Sequence, residues 1–485
     1  MSCNLKTFIY SLSILLIYSI FFQCKEEGTN KIPITTSSEE ALSYFLEGKD
    51  LSEKLRLEEA YKFFQKAIGE DPDFALAHLY SSITAPNAEV RLEELENAIS
   101  LKNHVTEGER LIIEGMEATF SGSYKKQQDC YRKLVELYPE DEQAYYLLGN
   151  SYFSQHDYNL ALGEYRRATE INANFAPVYN QLGYAHKYLG NYQEAEEAFK
   201  QYIKLISDDP NPHDSYAELQ MKMGKFQKSI SLYEKALKIE PEFFNSYIGI
   251  ATNLNFLGRH KEARQVLKKA LEIPHSKERR YYLYYALSVS FVDEGKFDSA
   301  KAVLKNTSGK DFSNLHLLDF VTLTGVINEE LGEVEKAENN YKQASEILTE
   351  VNLPEDIKNR IKQNLLYHKA SLFLRTNDIA EAKKITREFG EKADSTQNRH
   401  QLWLYHELLG RIAMKENNFT EALGEFRRSN LENPYNLFRM AQAYYAMGDI
   451  SKAREFLEKT IHHNTFNSLE YALVRHRAEE MLGKF

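Results

Sequence analysis

A chain of 485 residues that is 43% hydrophobic and 27% charged can bury one large core or several domains. Its 11 prolines and 22 glycines exclude an extended disordered chain and a turn-rich all-β one. A formal net charge of -11 withholds the basic surface that nucleic acid requires, and no nucleic-acid partner is expected.

The chain opens with a short segment carrying one lysine, Lys6, followed by an uncharged apolar run from Phe8 to Phe22. That run falls short of the roughly 18 apolar residues a membrane span needs, and it suits the core of a signal peptide. It ends at Gln23-Cys24, before polar KEEGTNK. An apolar run closing on cysteine resembles a bacterial lipoprotein signal peptide, here residues 1–23, although Phe21 and Gln23 stand where Leu and a small residue are usual. The resemblance implies that Cys24 becomes the lipidated first residue of a membrane-anchored lipoprotein of the cell envelope, facing the periplasm or the outside. Several acyl chains would hold it stably where one would not. An uncleaved anchor and an ordinary cleaved signal are the alternatives. Residues 24–40, polar and containing Thr, Ser, Gly and Pro, read as the lipid anchor and a flexible spacer. Of the three cysteines, Cys3 lies in the targeting segment and Cys24 ends it. Cys130 is left alone in a helix, so no disulfide framework is available.

From Ala41 onward the sequence repeats. Gly48, Ala60, Phe64, Ala67 and Pro72 define a first helix–turn–helix unit, residues 75–105 a degenerate second, and Gly115, Ala118, Tyr131 and Pro139 a third. The stretch Glu142–Asp209 holds the unit twice in its most regular form. Tyr145 and Tyr179, Leu148 and Leu182, Gly149 and Gly183, Ala161 and Ala195, and Tyr165 and Phe199 correspond at 34 residues. Gly224, Tyr233 and Ala236, then Tyr247, Ala251 and Ala263, carry the sixth and seventh units. Beyond Pro274 the inter-helix turns at Gly295, Gly332, Asn377, Asn417 and Gly448 are spaced by 37, 45, 40 and 31 residues. Longer helices or inserted loops follow from that drift. Leu469, Ala472, Leu473, Ala478 and Leu482 draw a final amphipathic stripe within residues 466–485.

These residues resemble the tetratricopeptide repeat (TPR). The resemblance implies an all-α, right-handed superhelical solenoid of about twelve TPR-like helix pairs, regular over 41–280, irregular over 281–465, and closed by a C-terminal capping helix over 466–485. It implies aromatic residues at recurring core positions, which accounts for 32 tyrosines and 27 phenylalanines against one tryptophan. In such arrays the first helix of each pair lines a concave groove. The groove positions here are Tyr146, Asn150, Phe153, Asn180, Tyr184, Lys187, Tyr188, Met221, Asn255 and Phe256, where amides can pair with a peptide backbone and aromatics supply rigid contact area. Repeats of this type that grip chaperone C-termini use a set of lysines, asparagines and an arginine. Only Asn150 matches, while Tyr146, Gln181, Asn211 and Ser215 do not.

No dinucleotide, P-loop, nucleophile-elbow or HExxH motif occurs. His406-Glu407 lacks a second histidine, His462-His463 reads as a solvated pair, and Glu329-Glu330 and Glu194-Glu196-Glu197 read as helix faces in water. The expectation is therefore a non-catalytic scaffold or adaptor of the bacterial cell envelope that binds proteins or peptides in its groove. It needs no cofactor, metal or small-molecule substrate. The alternatives are an assembly or secretion-linked component that binds through its convex face and ends, and an enzyme with an unrecognised site in 281–465.

Overall fold

A computed structural model describes residues 31–54, 56–307, 312–396 and 398–485; the segment expected to be a signal peptide, residues 1–23, and Cys24 lie outside the described residues. Those residues form 25 α-helices, α1 (Glu39–Glu53) to α25 (Leu469–Leu482), with no strand among them. Twelve antiparallel pairs follow one another, odd-numbered first helices and even-numbered second helices, and α25 closes the array. The helical solenoid of TPR-like pairs is thus the observed architecture.

One contact recurs inside the pairs. In α7 (Glu142–Ser154), Gly149 lies against the ring of Tyr165 from α8 (Tyr158–Ile171), so closely that a Cβ on Gly149 would sit 2.4 Å from Tyr165 Cε1. Gly183 meets Phe199 in the same way, at 2.5 Å. Each aromatic is fully buried and fills the groove that the missing side chain leaves, which lets the axes approach. Ala161 and Ala195 are buried on the facing side. Cys130 packs in the same core, and burial pushes its thiol up.

The inter-helix turns need a left-handed residue. Gly224, Gly258 and Gly448 supply it, and Asn377 and Asn417 replace glycine at φ 63° and 59° in the irregular half. The wide spacings there come from longer helices: α17 (Asn314–Glu330) and α18 (Val334–Glu350) have 17 residues each, and α19 (Glu355–Arg375) has 21.

Residues about 240 apart in sequence meet in space. Arg360 donates to the Phe120 carbonyl at 2.9 Å, Arg399 to Asp157 at 2.8 Å and to the Gln155 carbonyl, and Lys222 to the His463 carbonyl at 2.8 Å. Arg279 pairs with Glu58 at 3.3 Å. Three of these contacts join pairs seven apart, and Lys222 reaches from pair six to the turn that follows pair twelve, so about seven pairs complete one superhelical turn and the second turn rests on the first. Beside Arg399 the junction adds a ring contact. His156, at φ 60°, places its ring 4.6 Å from that of Trp403. His156 occupies the left-handed position of its inter-helix turn, as Asn377 and Asn417 do in theirs. His463, expected in a solvated turn, is instead buried at the junction of the two turns, and burial beside Lys222 lowers its pKa to about 3. His462 is exposed.

The start of the described chain differs from a free spacer. The Ile32 N–H donates to Asp141 at 2.8 Å, the Thr35 N–H and hydroxyl to Glu109 at 2.6 Å, and the Ser37 N–H to Asp71 at 2.8 Å, while Lys31 pairs with Glu142. Residues 31–37 therefore form a strap across the edge of pairs two to four. Carboxylates at helix ends make this possible, Asp141 and Glu109 at helix starts and Asp71 at the C-cap of α2 (Leu57–Glu70), because they accept from an extended backbone that has no partner of its own.

The glycine–aromatic contact and the ring clasp are both measurable. Gly149→Ala drives a methyl into Tyr165 and costs about 1–3 kcal/mol in denaturant unfolding. Gly163→Ala, which meets nothing within 4 Å on the exposed side of α8, gains up to about 1 kcal/mol. His156→Gly keeps the turn but removes the ring from Trp403, the chain's single tryptophan; its emission shifts to the red with helical circular dichroism unchanged.

Candidate functional site

The residues expected in the groove of pairs four to seven do lie on first helices, but most of their side chains are already engaged within the protein. The Tyr146 ring stands 5.3 Å from that of Phe175, and Asn150 accepts from the Tyr165 hydroxyl at 2.8 Å. Phe153 and Tyr188 both pack on Tyr158, Tyr188 stacking on it at 4.9 Å, next to the clasp with the second turn. Asn180 Oδ1 is enclosed with no hydrogen-bond partner among the described residues. Tyr184 donates to Glu218 at 2.9 Å. Lys187 is 4% exposed, ion-paired with Glu218, with its Nζ 4.4 Å from the centre of the Tyr184 ring.

Four assignments are corrected. Lys187, Met221 and Asn255 are buried, Asn255 accepting from Ser290 at 2.8 Å, and none of them faces an open groove. Phe256 is covered by Tyr471 at 5.4 Å and by the Arg475 guanidinium at 5.3 Å. The cause is α25. Arg475 holds both oxygens of the buried Asp293 at 2.9 and 2.8 Å, which fixes α25 to the concave side of α15 (Lys277–Asp293). The capping helix thus closes part of the concave face as well as the end of the array.

The concave face opens again beyond α25. A cavity of about 780 Å³ lies among α17, α19, α21 (Arg399–Lys415), α23 (Pro434–Ala446) and α25. Leu404, Phe426, Phe438 and Leu473 give it an apolar wall. The same lining includes three carboxylates, Glu329, Glu330 and Glu407, whose side chains are only 8%, 12% and 2% exposed. Glu329-Glu330 and Glu407 are therefore interior groups, contrary to the reading of a hydrated helix face and an isolated His-Glu pair. Each has partners. Glu407 accepts from Arg439 at 2.9 Å and from Tyr367, Glu330 pairs with Arg375 and Arg477 at 2.6 Å, and Glu329 accepts from Tyr341 at 3.0 Å and from Ser371. Burial pushes the Glu407 and Glu330 carboxyls up, but the neighbouring guanidiniums outweigh it and hold both below the usual range. Burial lowers the pKa of His368 and of His400, so both are neutral at ordinary pH.

The sequence does carry a signal for this wall. Asn150 follows its small residue Gly149 by one position, Phe153 follows it by four, and Tyr146 precedes it by three. The same offsets from Gly325 and Gly410 select Glu329, Glu407 and Arg411. Carrying the phase past the irregular spacings would have found them.

Known proteins give the following likenesses. Residues 149–190 match the family described as TPR repeat, and residues 176–209, 214–243, 244–274 and 435–463 match Tetratricopeptide repeat families. The chain carries these repeats in both its regular and its irregular half. Among curated proteins it is 27% identical to Superkiller complex protein 3 of Homo sapiens over 35% of this chain and 12% of that protein. It is 25% identical to Tetratricopeptide repeat protein 37 of Xenopus laevis over 38% and 12%. Anaphase-promoting complex subunit 6 of Arabidopsis thaliana is 25% identical over 45% and 35%. The chain thus spans about an eighth of the length of the first two. Among solved structures, MamA protein is similar with a TM-score of 0.30 and 24% identity, over 34% of this chain and 91% of that one. A tetratricopeptide repeat protein from Parabacteroides merdae is similar with a TM-score of 0.36 and 19% identity, over 52% and 100%.

One titration is measurable in the occupied groove. Burial pushes the Asp214 carboxyl up to about 7, against the hydrogen bond it accepts from Ser246 at 2.6 Å. Its folded value lies above the ~3.9 of a free aspartate, so the folded state keeps a proton that the unfolded state loses between about pH 4 and 7. Stability falls as pH rises through that window. Asp214→Asn should melt higher than the wild type at pH 8, with the difference gone by about pH 4.

Proposed function

We propose that this protein is a non-catalytic protein-binding scaffold of the bacterial cell envelope, anchored through lipid on Cys24, and that it receives a segment of its partner in the C-terminal concave cavity. The anchor rests on the apolar run ending at Cys24. Protein binding rests on the repeat class, whose members generally mediate protein–protein interactions. Two of the similar proteins are named as members of complexes.

The cavity is the observation that carries the site. At about 780 Å³ it is within the ~300–1,000 Å³ range of ligand pockets, and its walls combine aromatic, aliphatic and arginine side chains. Tyrosine and arginine are the residue types that dominate binding hot spots. The face of pairs four to seven offers less, because Tyr184, Lys187 and Glu218 already engage one another there and α25 lies over its end.

Gln442 lines the cavity, so Gln442→Trp adds bulk there. After crosslinking in native envelopes, the proteins captured by the wild type should fall at least tenfold with Gln442→Trp. They should persist with Tyr146, Asn150, Tyr184 and Tyr188 all changed to alanine. The reverse pattern would return binding to pairs four to seven, and capture untouched by either change would move it to the convex face and ends. Labelling with a palmitate analogue tests the anchor: label that survives Cys24→Ser removes it.

A further inference from the structure

Two helices of the first superhelical turn carry a different contact at each end. At the N-cap of α7, Asp141 accepts the Ile32 N–H of the strap at 2.8 Å; at the C-cap, the Gln155 carbonyl accepts from Arg399 of the second turn. Near the start of α5 (Glu107–Ser121), Glu109 accepts the Thr35 N–H at 2.6 Å; near its end, the Phe120 carbonyl accepts from Arg360 at 2.9 Å. The remaining contacts repeat the division. Asp71 takes Ser37 in a turn between pairs, while Glu58, Asp157 and Lys222 meet the second turn beside turns within pairs. Strap and second turn therefore lie on opposite edges of the first turn. From Asp141 to Gln155 the helix rises by about 21 Å, at ~1.5 Å per residue. The cavity among α17, α19, α21, α23 and α25 belongs to the second turn, on the side away from the strap.

The strap also sets the length of the tether. Lys31 is held on the strap edge by Glu142, and Ile32 and Ile34 pack on the core beneath, so apolar burial adds to the hydrogen bonds. Cys24 stands seven residues ahead of Lys31, a length of chain that spans at most about 24 Å. With the strap undocked the free length would run to Glu39 and reach about 50 Å. Bringing the far edge of the second turn against a bilayer requires the tether to pass both turns. That height is about 46 Å once the ~25 Å of a 17-residue helix such as α17 is added. The undocked chain reaches that far and the docked chain does not. The strap edge is also unsuited to entering lipid, because Glu39, Glu70, Asp73 and Glu140 are exposed on it.

We propose that the docked strap orients the protein on its membrane: the edge of pairs two to four faces the lipid surface without entering it, and the second turn presents its cavity away from the lipid, to the aqueous compartment. The inference rests on the proposed lipid anchor at Cys24 and adds to it which face of the solenoid the anchor turns to the bilayer.

The test is energy transfer from a donor dye on the full-length lipidated chain to an acceptor dye on the headgroups of phosphatidylcholine vesicles, measured on protein that floats with the vesicles. In a Cys130→Ser background, His104→Cys places the donor on the strap edge and Asp298→Cys places it on the far edge of the second turn; both positions are exposed. Transfer from position 104 should exceed transfer from position 298 at least twofold. Ile32→Pro combined with Thr35→Pro removes two N–H donors of the strap and alters no helix. Helical circular dichroism should then be unchanged while the ratio falls toward one. Equal transfer from the two positions with the strap intact, greater transfer from position 298, or a ratio that the prolines leave unchanged would each overturn the orientation and leave the anchor standing. Protein that does not float with the vesicles, or that floats equally well with Cys24→Ser, would remove the anchor and the orientation with it.

Discussion

The close approach of a glycine to an aromatic ring, inside pairs one, three, four, five, nine and eleven, is the constraint on which the array depends. Gly149 under Tyr165 and Gly183 under Phe199 fix how near two axes come, and repetition of that geometry fixes how far each pair is rotated from the last. Small rotations add. After seven pairs the chain has come full circle, and the turn edges of early pairs meet the helix starts of late ones through Arg279, Arg360, Arg399 and Lys222. A repeat protein is usually held by nearest neighbours alone; this one has a second set of contacts between residues hundreds of positions apart.

Closure also decides which concave surface is free. With the superhelix wound onto itself, α25 is delivered to the inner side of α15, where Arg475 and Asp293 lock it. The inner residues of pairs four to seven respond by satisfying one another, as Lys187, Tyr184 and Glu218 do. The inner residues of pairs nine to twelve keep an open space, and there the polar groups are arranged around a cavity instead of across it.

Much of this was legible in the sequence. The helix pairs, their number, the small and aromatic positions and the final helix all follow from a 34-residue period with Gly, Ala and Tyr in fixed phase, since those residues report only local packing. The concave positions were legible as positions, and their occupancy was not. Whether Phe256 is open depends on α25, and whether Lys187 is free depends on Glu218, 31 residues on. Glu329-Glu330 looked like a wet helix face because two adjacent acids usually are one. Their guanidinium partners, Arg375 and Arg477, come from the next pair and from α25, which only the three-dimensional winding brings near. The strap escaped notice for a related reason: Thr, Ser and Pro describe a segment with no partners of its own, and its partners are carboxylates on three successive pairs.

That strap has a mechanical consequence. It runs backward along the array, from Glu142 and Asp141 at pair four, past Glu109 at pair three, to Asp71 in the turn between pairs one and two, before the chain turns into α1. A pull on the chain ahead of Lys31 therefore does not load the first helix directly. It meets the attachments one after another, each yielding a few residues at roughly 3.4 Å apiece before the next bears tension. The helices stay folded while the strap peels, so its hydrogen bonds act as a graded shock absorber between the start of the chain and the body of the solenoid.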